Sequence, residues 1–411
     1  MHTPNGRKGA YLQSFDTGIE SLRTALLGLV HRSFPGLRRS VRKNLAAVTL
    51  ALLLLQRGGR SGNGRLSLSA IARALPTWGA PQARYRRLHR FLDCAMFSAS
   101  GVATGLTRLI FGRRGRQPQL VPIIGDQVTV AGTEAFVMAA GFEGRALPVG
   151  IMCWSYPLVN GVWSQNQLER MLIASVADAL PPGLRPIWIL DRGYSRGRLL
   201  KEFNAEGELY VMRAKRNVKV KLGTGWVAIG KIVLPPRTVV RHSGVICGLD
   251  RKVPVDLIGY HDPEYKEPWY LLAPPRSEGL LPAAEVVALY RTRMRIEHTF
   301  RDWKTHLGAR GLKLKVRKAD RMARLLQALT IAYALSVALG ADRVGRKLRE
   351  QIEIERHLPR HGTRRTLSVL TVGTAAMARP QLAPAAYARL EKLIDMAADG
   401  RPLLPAPKKA G

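Results

Sequence analysis

The sequence predicts an α/β (α+β) protein with a mixed central sheet, a β-rich insertion and helical regions at both ends. Residues 1–117 read as helical and strongly basic, and from Leu120 onward the pattern changes to β-branched runs separated by glycine turns. The region after residue 312 is helical again. A chain of 411 residues is long enough for two or three domains. We therefore expect domains at 1–117, 118–310 and 311–411.

The N-terminal region combines helical patterns with clusters of arginine. RRSVRKNLAAVTLALLLLQ predicts one helix, and SLSAIARAL and APQARYRRLHRFLDC predict two short helices on either side of a Pro/Gly break. A basic second helix after a turn resembles a helix-turn-helix layout, whereas a basic bundle without base readout explains the same residues equally well. In either case Arg86 and Arg87 are candidate DNA contacts.

The middle region arranges strands and helices in a definite order. LVPIIGDQVTV, EAFVMAAGFEG and ALPVGIMCWSY predict three strands, QNQLERMLIASVADAL a helix, RPIWILDRGY a buried strand and SRGRLLKEFNAEG a helix. Further strands at about 208–267 are treated as an insertion, after which PWYLLAPP predicts a strand and a helix follows. The order β-β-β-α-β-α, insertion, β, α is that of the ribonuclease-H-like fold.

The balance of charge limits the choice of partner. Lys and Arg number 65 against 29 Asp and Glu, which gives a net charge of +36, and a hydrophobic content of 46% is that of a folded protein. Such an excess of positive charge is typical of proteins that bind a polyanion. Nucleic acid is therefore the leading partner, with an anionic membrane surface or ribosomal RNA as the alternative.

Several features of the sequence argue against membrane insertion and against two common chemistries. The apolar runs 45–55 and 325–339 are too short to span a bilayer and predict buried helices. The N-terminus lacks the apolar core of a signal peptide, so we expect a soluble cytoplasmic protein. The sequence contains neither a GxxxxGK[ST] loop nor HExxH, so neither ATP use nor zinc hydrolysis is indicated.

Two aspartates interrupt or end buried strands, where a carboxylate is costly unless it serves a cation or a turn. Asp126 interrupts the strand IIGDQVTV, and Asp191 follows the strand IWIL. Functional groups of α/β sheets collect at the carboxyl ends of strands, where Asp191 would lie. Taken alone, Asp191 could equally cap the following helix.

A third acid lies in the predicted helix YRTRMRIEHTFRDWK. At 100° per residue, Tyr290, Arg293, Glu297 and Lys304 fall within about 60° of one another, beside a separate apolar face. A carboxylate among cations on one stripe suits phosphate and metal chemistry. The plain alternative is an amphipathic helix with i,i+4 ion pairs.

The spacing Tyr-x2-Arg-x3-Glu-x6-Lys resembles the Y-R-E-K signature of the insertion-sequence-4 family of bacterial DDE transposases. Together with DRGY, the resemblance covers roughly residues 120–310. It implies that the catalytic and metal-binding residues are Asp126, Asp191 and Glu297, and that Tyr290, Arg293 and Lys304 contact phosphates. Many relatives have Thr or Trp soon after the first aspartate, whereas this chain reads DQVTV, which leaves Asp126 less secure than the other two.

The resemblance also implies a cofactor and a reaction. Three carboxylates favour Mg²⁺ or Mn²⁺, because hard cations take oxygen ligands. The expected reaction is cut-and-paste transposition at the terminal inverted repeats of an insertion sequence, through metal-dependent strand cleavage, hairpin ends and strand transfer. The expected partners are double-stranded DNA and a second copy of the chain, paired through the C-terminal helices, in the bacterial cytoplasm at the nucleoid.

Other residues and other functions complete the expectations. Arg213 and Lys215 in the run RAKRNVKVK are candidate contacts to the DNA backbone. For Trp226 and Trp269, core packing is favoured over base stacking. A non-catalytic DNA-binding relic of a transposase, and a metal-dependent nuclease without strand transfer, are the alternative functions.

Overall fold

The computed structural model describes residues 5–56, 66–76, 79–94, 98–113, 118–158, 163–265, 267–312, 318–353 and 367–403. The predicted Gly/Ser-rich turn at 58–65, the linker at 114–116, the basic loop at 360–366 and the tail from 404 lie outside these residues.

The N-terminal region is helical, as the sequence predicts. Its helices are α1 (Asn5–Ser33), α2 (Arg39–Gln56), α3 (Leu68–Ala74), α4 (Pro81–Leu92) and α5 (Ala99–Phe111). Ser67 caps α3 and Ser98 caps α5, each accepting a hydrogen bond from a backbone N–H in the first turn. The apolar faces of α2, α3 and α4 pack together, and Leu45, Ile71 and Leu88 are fully buried. Because residues 77 and 78, in the turn between α3 and α4, lie outside the described residues, the helix-turn-helix layout stays a prediction.

The middle region forms one mixed sheet of ten strands in the order β3-β2-β1-β4-β5-β10-β9-β8-β6-β7. The strands are β1 (Gln119–Val130), β2 (Thr133–Phe142), β3 (Arg145–Trp154), β4 (Leu184–Leu190), β5 (Leu209–Arg213), β6 (Lys219–Leu222), β7 (Gly225–Ala228), β8 (Val239–Gly248), β9 (Lys252–Tyr260) and β10 (Trp269–Ala273). Two helices of this region are α6 (Gln165–Ala179) and α7 (Gly197–Ala205). Strands β1, β2 and β3 form an antiparallel meander, and β4 and β5 run parallel to β1. These five strands and their order confirm the ribonuclease-H-like prediction.

The predicted insertion at 208–267 does not form a separate sheet. Its first strand, β5, pairs in parallel with β4 and is therefore the fifth strand of the central sheet. The strand at PWYLLAPP, β10, pairs antiparallel with β5, and β9, β8, β6 and β7 continue the same sheet outward. The sequence shows where strands occur, but it does not show which strand pairs with which over such a distance.

The C-terminal part of the chain is helical, in agreement with the prediction. It contains α8 (Ala283–Arg291), α9 (Met294–Arg301), α10 (Ala319–Ala341), α11 (Arg343–Ile352), α12 (Val369–Ala378) and α13 (Ala383–Ala398). Gly373 of α12 lies against the backbone of Ser336 in α10, where a Cβ atom would be only 2.1 Å from the carbonyl oxygen. Only glycine therefore permits these two helices to approach so closely.

Helix α10 includes the apolar run 325–339, which the sequence suggested was too short to span a bilayer. With 23 residues, α10 is long and apolar enough to cross a membrane by length and composition. However, 94% of its most apolar window is buried inside the protein, where α10 packs on α2, α12 and β3. A core helix of a folded domain has the same composition, which agrees with the predicted buried helix.

Candidate active site

Two neighbouring parallel strands bring Asp126 and Asp191 together. In the pairing of β1 with β4, Gly125 lies opposite Leu190; Asp126 is the next residue of β1, and Asp191 directly follows the end of β4. A Cβ atom on Gly125 would lie 2.5 Å from a methyl carbon of Leu190 and 2.8 Å from the sulfur of Met138, so a larger residue would displace these side chains. The register of these two strands therefore sets both carboxylates at the same edge of the sheet.

The Y-R-E-K segment is not one continuous helix, and the wheel geometry predicted for it is wrong. Helix α8 ends at Arg291, α9 begins at Met294, and a π-helical turn, Asp302–His306, follows. Between α8 and α9 the backbone N–H of Arg293 donates to the carbonyl of Tyr290, an i→i+3 bond of 3.0 Å. Such a tighter turn aligns residues three apart, so Tyr290 and Arg293 still face the same way.

The guanidinium group of Arg293 lies among all three predicted acids. Its Nη1 atom is 3.0 Å from Oδ2 of Asp126 and 3.9 Å from Oδ2 of Asp191, and its Nη2 atom donates to Glu297. The Arg293 side chain is 11% exposed, whereas that of Glu297 is 41% exposed. The structure therefore brings the three carboxylates together, but it directs Arg293 toward them rather than toward an external phosphate.

The two aspartates of this cluster differ in their proton affinity. Burial raises the pKa of Asp126 to about 6, against the lowering influence of the Gln127 backbone N–H and of Arg293. Burial also acts to raise the pKa of Asp191, but Arg293, the Arg192 backbone N–H and the Tyr290 hydroxyl outweigh it and hold that pKa below its usual range. Asp191 is therefore ionised across the neutral range, and Asp126 takes up a proton under mildly acidic conditions.

Three carboxylates that share one edge of a sheet fit a hard divalent cation, because Mg²⁺ and Mn²⁺ prefer oxygen ligands. Within the described part of the chain, no three His, Cys, Asp or Glu side chains lie close enough to hold a metal ion as they stand. The donor atoms of Asp126, Asp191 and Glu297 therefore suit a divalent cation in type, while the guanidinium of Arg293 fills the space between them.

Lys304 lies in the π-helical turn, half-buried, and forms no ion pair with any other described residue. A π-turn has more residues per turn than an α-helix, so the predicted angle of Lys304 relative to Glu297 does not hold. The neighbouring Asp302 is fully buried and forms an ion pair with Arg145 of β3. That pair attaches the signature segment to the sheet rather than adding to the carboxylate cluster.

Arg213 and Lys215 line a basic cavity of about 260 Å³ near Asp191. Its other charged residues are Arg192, Arg216 and Glu267, and Ala214, Asn217 and Pro268 complete the lining. Arg213 is 3.3 Å from Glu267, and Arg192 is 3.9 Å from the same carboxylate oxygen. Arg192 was not among the predicted site residues, although it directly follows Asp191 in DRGY.

Of the two tryptophans, Trp269 packs against the hydrophobic core, as predicted, whereas Trp226 does not. Trp269 stacks on Tyr265 with ring centres 5.1 Å apart, and its ring meets the edge of Tyr290 at 5.2 Å. Trp226 is 42% exposed on the edge strand β7, with the Lys252 ammonium 5.8 Å from its ring centre. Core packing is therefore wrong for Trp226, because β7 ends the sheet and leaves one face open.

Tyr194 and Glu169 lie beside the carboxylates and were missed from the sequence. Tyr194 is buried against Phe136, and burial together with the charges of Asp126 and Glu169 raises the pKa of its hydroxyl. Glu169 of α6 is buried and forms an ion pair with Arg196. The only sequence signal was the position of Tyr194 in DRGY, since a glutamate in an amphipathic helix gives no sign of burial.

The predicted contacts of α4 lie elsewhere in the fold. Arg86 is exposed, whereas the Nε atom of Arg87 donates to the side-chain oxygen of Asn44 in α2 at 2.7 Å. Burial and the neighbouring positive charges of Arg90 and Arg23 lower the pKa of Arg87. Arg87 therefore has a structural contact in the free protein, and Arg86 is open to solvent.

Comparison with known proteins gives one family match. Residues 165–335 match the model of a transposase DDE domain. The chain thus contains a region similar to that domain. The matched region is less than half of the chain; it includes Asp191 and Glu297 and begins after Asp126.

Two further comparisons were made with whole proteins. No curated protein matches the chain. Among solved structures, the chain is similar to a piggyBac transposase, determined by cryo-EM in a synaptic complex with hairpin DNA. The similarity has 12% identity and a TM-score of 0.43, and it covers 97% of this chain and 86% of the other.

Proposed function

We propose that this protein is a DDE transposase of the insertion-sequence-4 kind, which cleaves DNA strands and transfers them in a metal-dependent reaction. The observation that carries the proposal is that Asp126, Asp191 and Glu297, from two adjacent strands and a distant helix, all lie around the guanidinium group of Arg293. An acidic cluster with basic surroundings suits a reaction on a polyanion. Transposition, the reaction of the DDE domain that residues 165–335 match, is such a reaction.

The three carboxylates would hold Mg²⁺ or Mn²⁺. When bound, such ions supply activation of the attacking water or 3′-hydroxyl and stabilisation of the leaving 3′-oxygen. Tyr290 keeps Asp191 ionised and oriented through its hydroxyl, which donates to Oδ1 at 2.9 Å. Arg213 and Lys215, in the adjacent basic cavity, are placed to bind phosphates of the DNA strand that reaches the acids.

The finer steps of the reaction rest on the resemblance of the Y-R-E-K segment to the family. They are recognition of terminal inverted repeats, formation and opening of hairpin ends, and joining to target DNA. A homodimer would pair the two ends, in the bacterial cytoplasm at the nucleoid. Because α10 is buried within the chain, a dimer surface in the C-terminal region would lie on α11, α12 or α13.

The proposal is tested with a plasmid carrying the DNA that flanks the gene, including any inverted repeats. Wild-type protein and Glu297→Gln are incubated with it, with and without Mg²⁺, and the products are sequenced. Metal-dependent cuts at the repeat ends, absent with the variant although it still binds the ends, support the proposal. Undiminished cleavage by Glu297→Gln contradicts the role of Glu297.

The same experiment distinguishes the two alternative functions. Binding without strand breakage in Mg²⁺ and in Mn²⁺ would indicate a non-catalytic DNA-binding relic. Cleavage without any joined product would indicate a nuclease that lacks strand transfer.

A further inference from the structure

The position of Arg293 differs from that of an ordinary phosphate-binding arginine. Its side chain is 11% exposed and its two terminal nitrogens are turned inward, toward Asp126, Asp191 and Glu297. The Nη2 atom also lies 3.6 Å from the sulfur of Met294, so little of the guanidinium faces solvent. In this conformation Arg293 has little capacity left for an external anion.

The positive charge of Arg293 offsets the mutual repulsion of the three carboxylates in the free protein. Three carboxylates at one edge of a sheet repel each other, and an arginine remains protonated at any pH that a folded protein tolerates. The planar fork of a guanidinium can bind several carboxylates at once, which a lysine ammonium does less well. Arg293 thus supplies the positive charge that a divalent cation would otherwise supply.

The size of the guanidinium group separates the acids. Its Nη1 atom lies between Asp126 and Asp191 and its Nη2 atom contacts Glu297, and the described residues contain no group of three acids close enough to share a metal ion. A bound metal and Arg293 in this position would therefore compete for the same oxygen atoms.

We propose that Arg293 is an internal counter-cation, which holds the three carboxylates in the metal-free protein and leaves them for a DNA phosphate when a divalent cation binds. This inference rests on the metal site of the proposed function. Because DNA would draw Arg293 away from the acids, DNA and metal should each strengthen the binding of the other. The metal site is then complete only when DNA is in place.

The test measures Mn²⁺ binding to the full-length protein without DNA, through the EPR signal of free Mn²⁺. Arg293→Gln removes the competing charge and should bind Mn²⁺ at least about tenfold more tightly than wild type, which corresponds to about 1.4 kcal/mol. Arg293→Lys keeps the charge but loses the planar fork, so its affinity for Mn²⁺ should lie between those of wild type and Arg293→Gln. Arg301→Gln removes one charge from an exposed position at the end of α9 and should leave the affinity for Mn²⁺ unchanged.

Thermal unfolding gives a second readout on the same variants. Without metal, Arg293→Gln should unfold at a lower temperature than wild type, because its carboxylates repel each other, and Mn²⁺ should raise its unfolding temperature more than that of wild type. If Arg293→Gln does not fold, Mn²⁺ binding is measured instead on Arg293→Lys and on wild type, each with and without duplex DNA. Adding duplex DNA should then tighten Mn²⁺ binding to wild type beyond any increase seen with Glu297→Gln.

Failure of this inference can be told apart from failure of the proposed function. If Glu297→Gln and Asp191→Asn abolish Mn²⁺ binding but Arg293→Gln binds no more tightly than wild type, the counter-cation role is wrong and the metal site stands. If Mn²⁺ binding is the same in wild type, Glu297→Gln and Asp191→Asn, the metal does not bind at these acids and the proposed function itself fails.

Discussion

The hydroxyl of Tyr290 donates to Oδ1 of Asp191 at 2.9 Å and so joins two residues that lie 99 positions apart in the sequence. The ring of Tyr290 is buried and makes a T-shaped contact with the ring of Trp269, and burial together with the charge of Asp191 raises the pKa of its hydroxyl. Tyr290 is therefore a neutral, fixed donor at neutral pH. Tyr290, the first residue of the Y-R-E-K segment, therefore orients the carboxylate of Asp191, the acid of DRGY.

Tyr290→Phe should reduce the rate of DNA cleavage by roughly tenfold and leave DNA affinity nearly unchanged. A hydrogen bond to a charged group contributes about 1.5–3 kcal/mol, and only the carboxylate loses its partner in this variant. Single-turnover cleavage at saturating protein measures the effect. Tyr290→Ala, which also loses the contact with Trp269, should be slower still, and a wild-type rate for Tyr290→Phe would contradict this role.

Asp126 should titrate with a midpoint near pH 6 in the metal-free protein, because burial raises its pKa to about 6 from 3.8. Since the folded state holds this proton more tightly than the unfolded state, the contribution of Asp126 to the unfolding free energy should fall as pH rises from about 4 to 6. Asp191, whose pKa is lowered, contributes in the opposite direction and only at lower pH.

The measurement for Asp126 is NMR of protein labelled with ¹³C at the aspartate carboxyl carbons. The resonance that disappears in Asp126→Asn identifies the residue, and Mg²⁺ should shift its midpoint to lower pH by competing with the proton. A midpoint near pH 4 in the absence of metal would show that Arg293 outweighs burial at this carboxylate.

The sequence predicted the strands and most of the helices well, because each depends on a local pattern, whereas the catalytic roles of Asp126, Asp191 and Glu297 stay predictions. β-Branched and apolar runs separated by glycine turns mark β1 to β3, and a carboxylate directly after the apolar run IWIL marks Asp191. The break between α8 and α9 and the π-turn at Lys304 could not be predicted from the sequence, since neither contains glycine or proline, the usual helix-breaking residues. The inward direction of Arg293 depends on contacts with residues up to 167 positions away.

Lys215→Ala should weaken binding to duplex DNA and reduce the salt dependence of that binding by about 0.9 in the logarithmic slope, the contribution of one phosphate contact. Lys215 is exposed at the basic cavity beside Asp191. Lys201→Ala, an exposed lysine of α7, is the matched control and should leave the slope unchanged. Fluorescence anisotropy across a salt series measures both, and equal slopes for the two variants would remove Lys215 from the DNA-binding surface.

Arg145→Met should destabilise the protein by about 3–5 kcal/mol, because it leaves the carboxylate of Asp302 buried without its partner. Asp302 is fully buried, and its other contacts are longer: the Tyr333 hydroxyl at 3.3 Å and a His306 nitrogen at 3.8 Å. Urea denaturation of the metal-free protein measures the loss.

The double variant Arg145→Met, Asp302→Leu separates the charge from the packing. Removing both charges should recover much of the stability lost by Arg145→Met alone, since no unpaired ion stays buried. Thr299, one turn before Asp302, is hydrogen-bonded to both backbone groups of Ala146 at 2.9 Å and would still hold α9 against β3. Because Glu297 lies on that same helix, the double variant should keep DNA cleavage, whereas a stable double variant without cleavage would mean that the Arg145–Asp302 pair also positions Glu297.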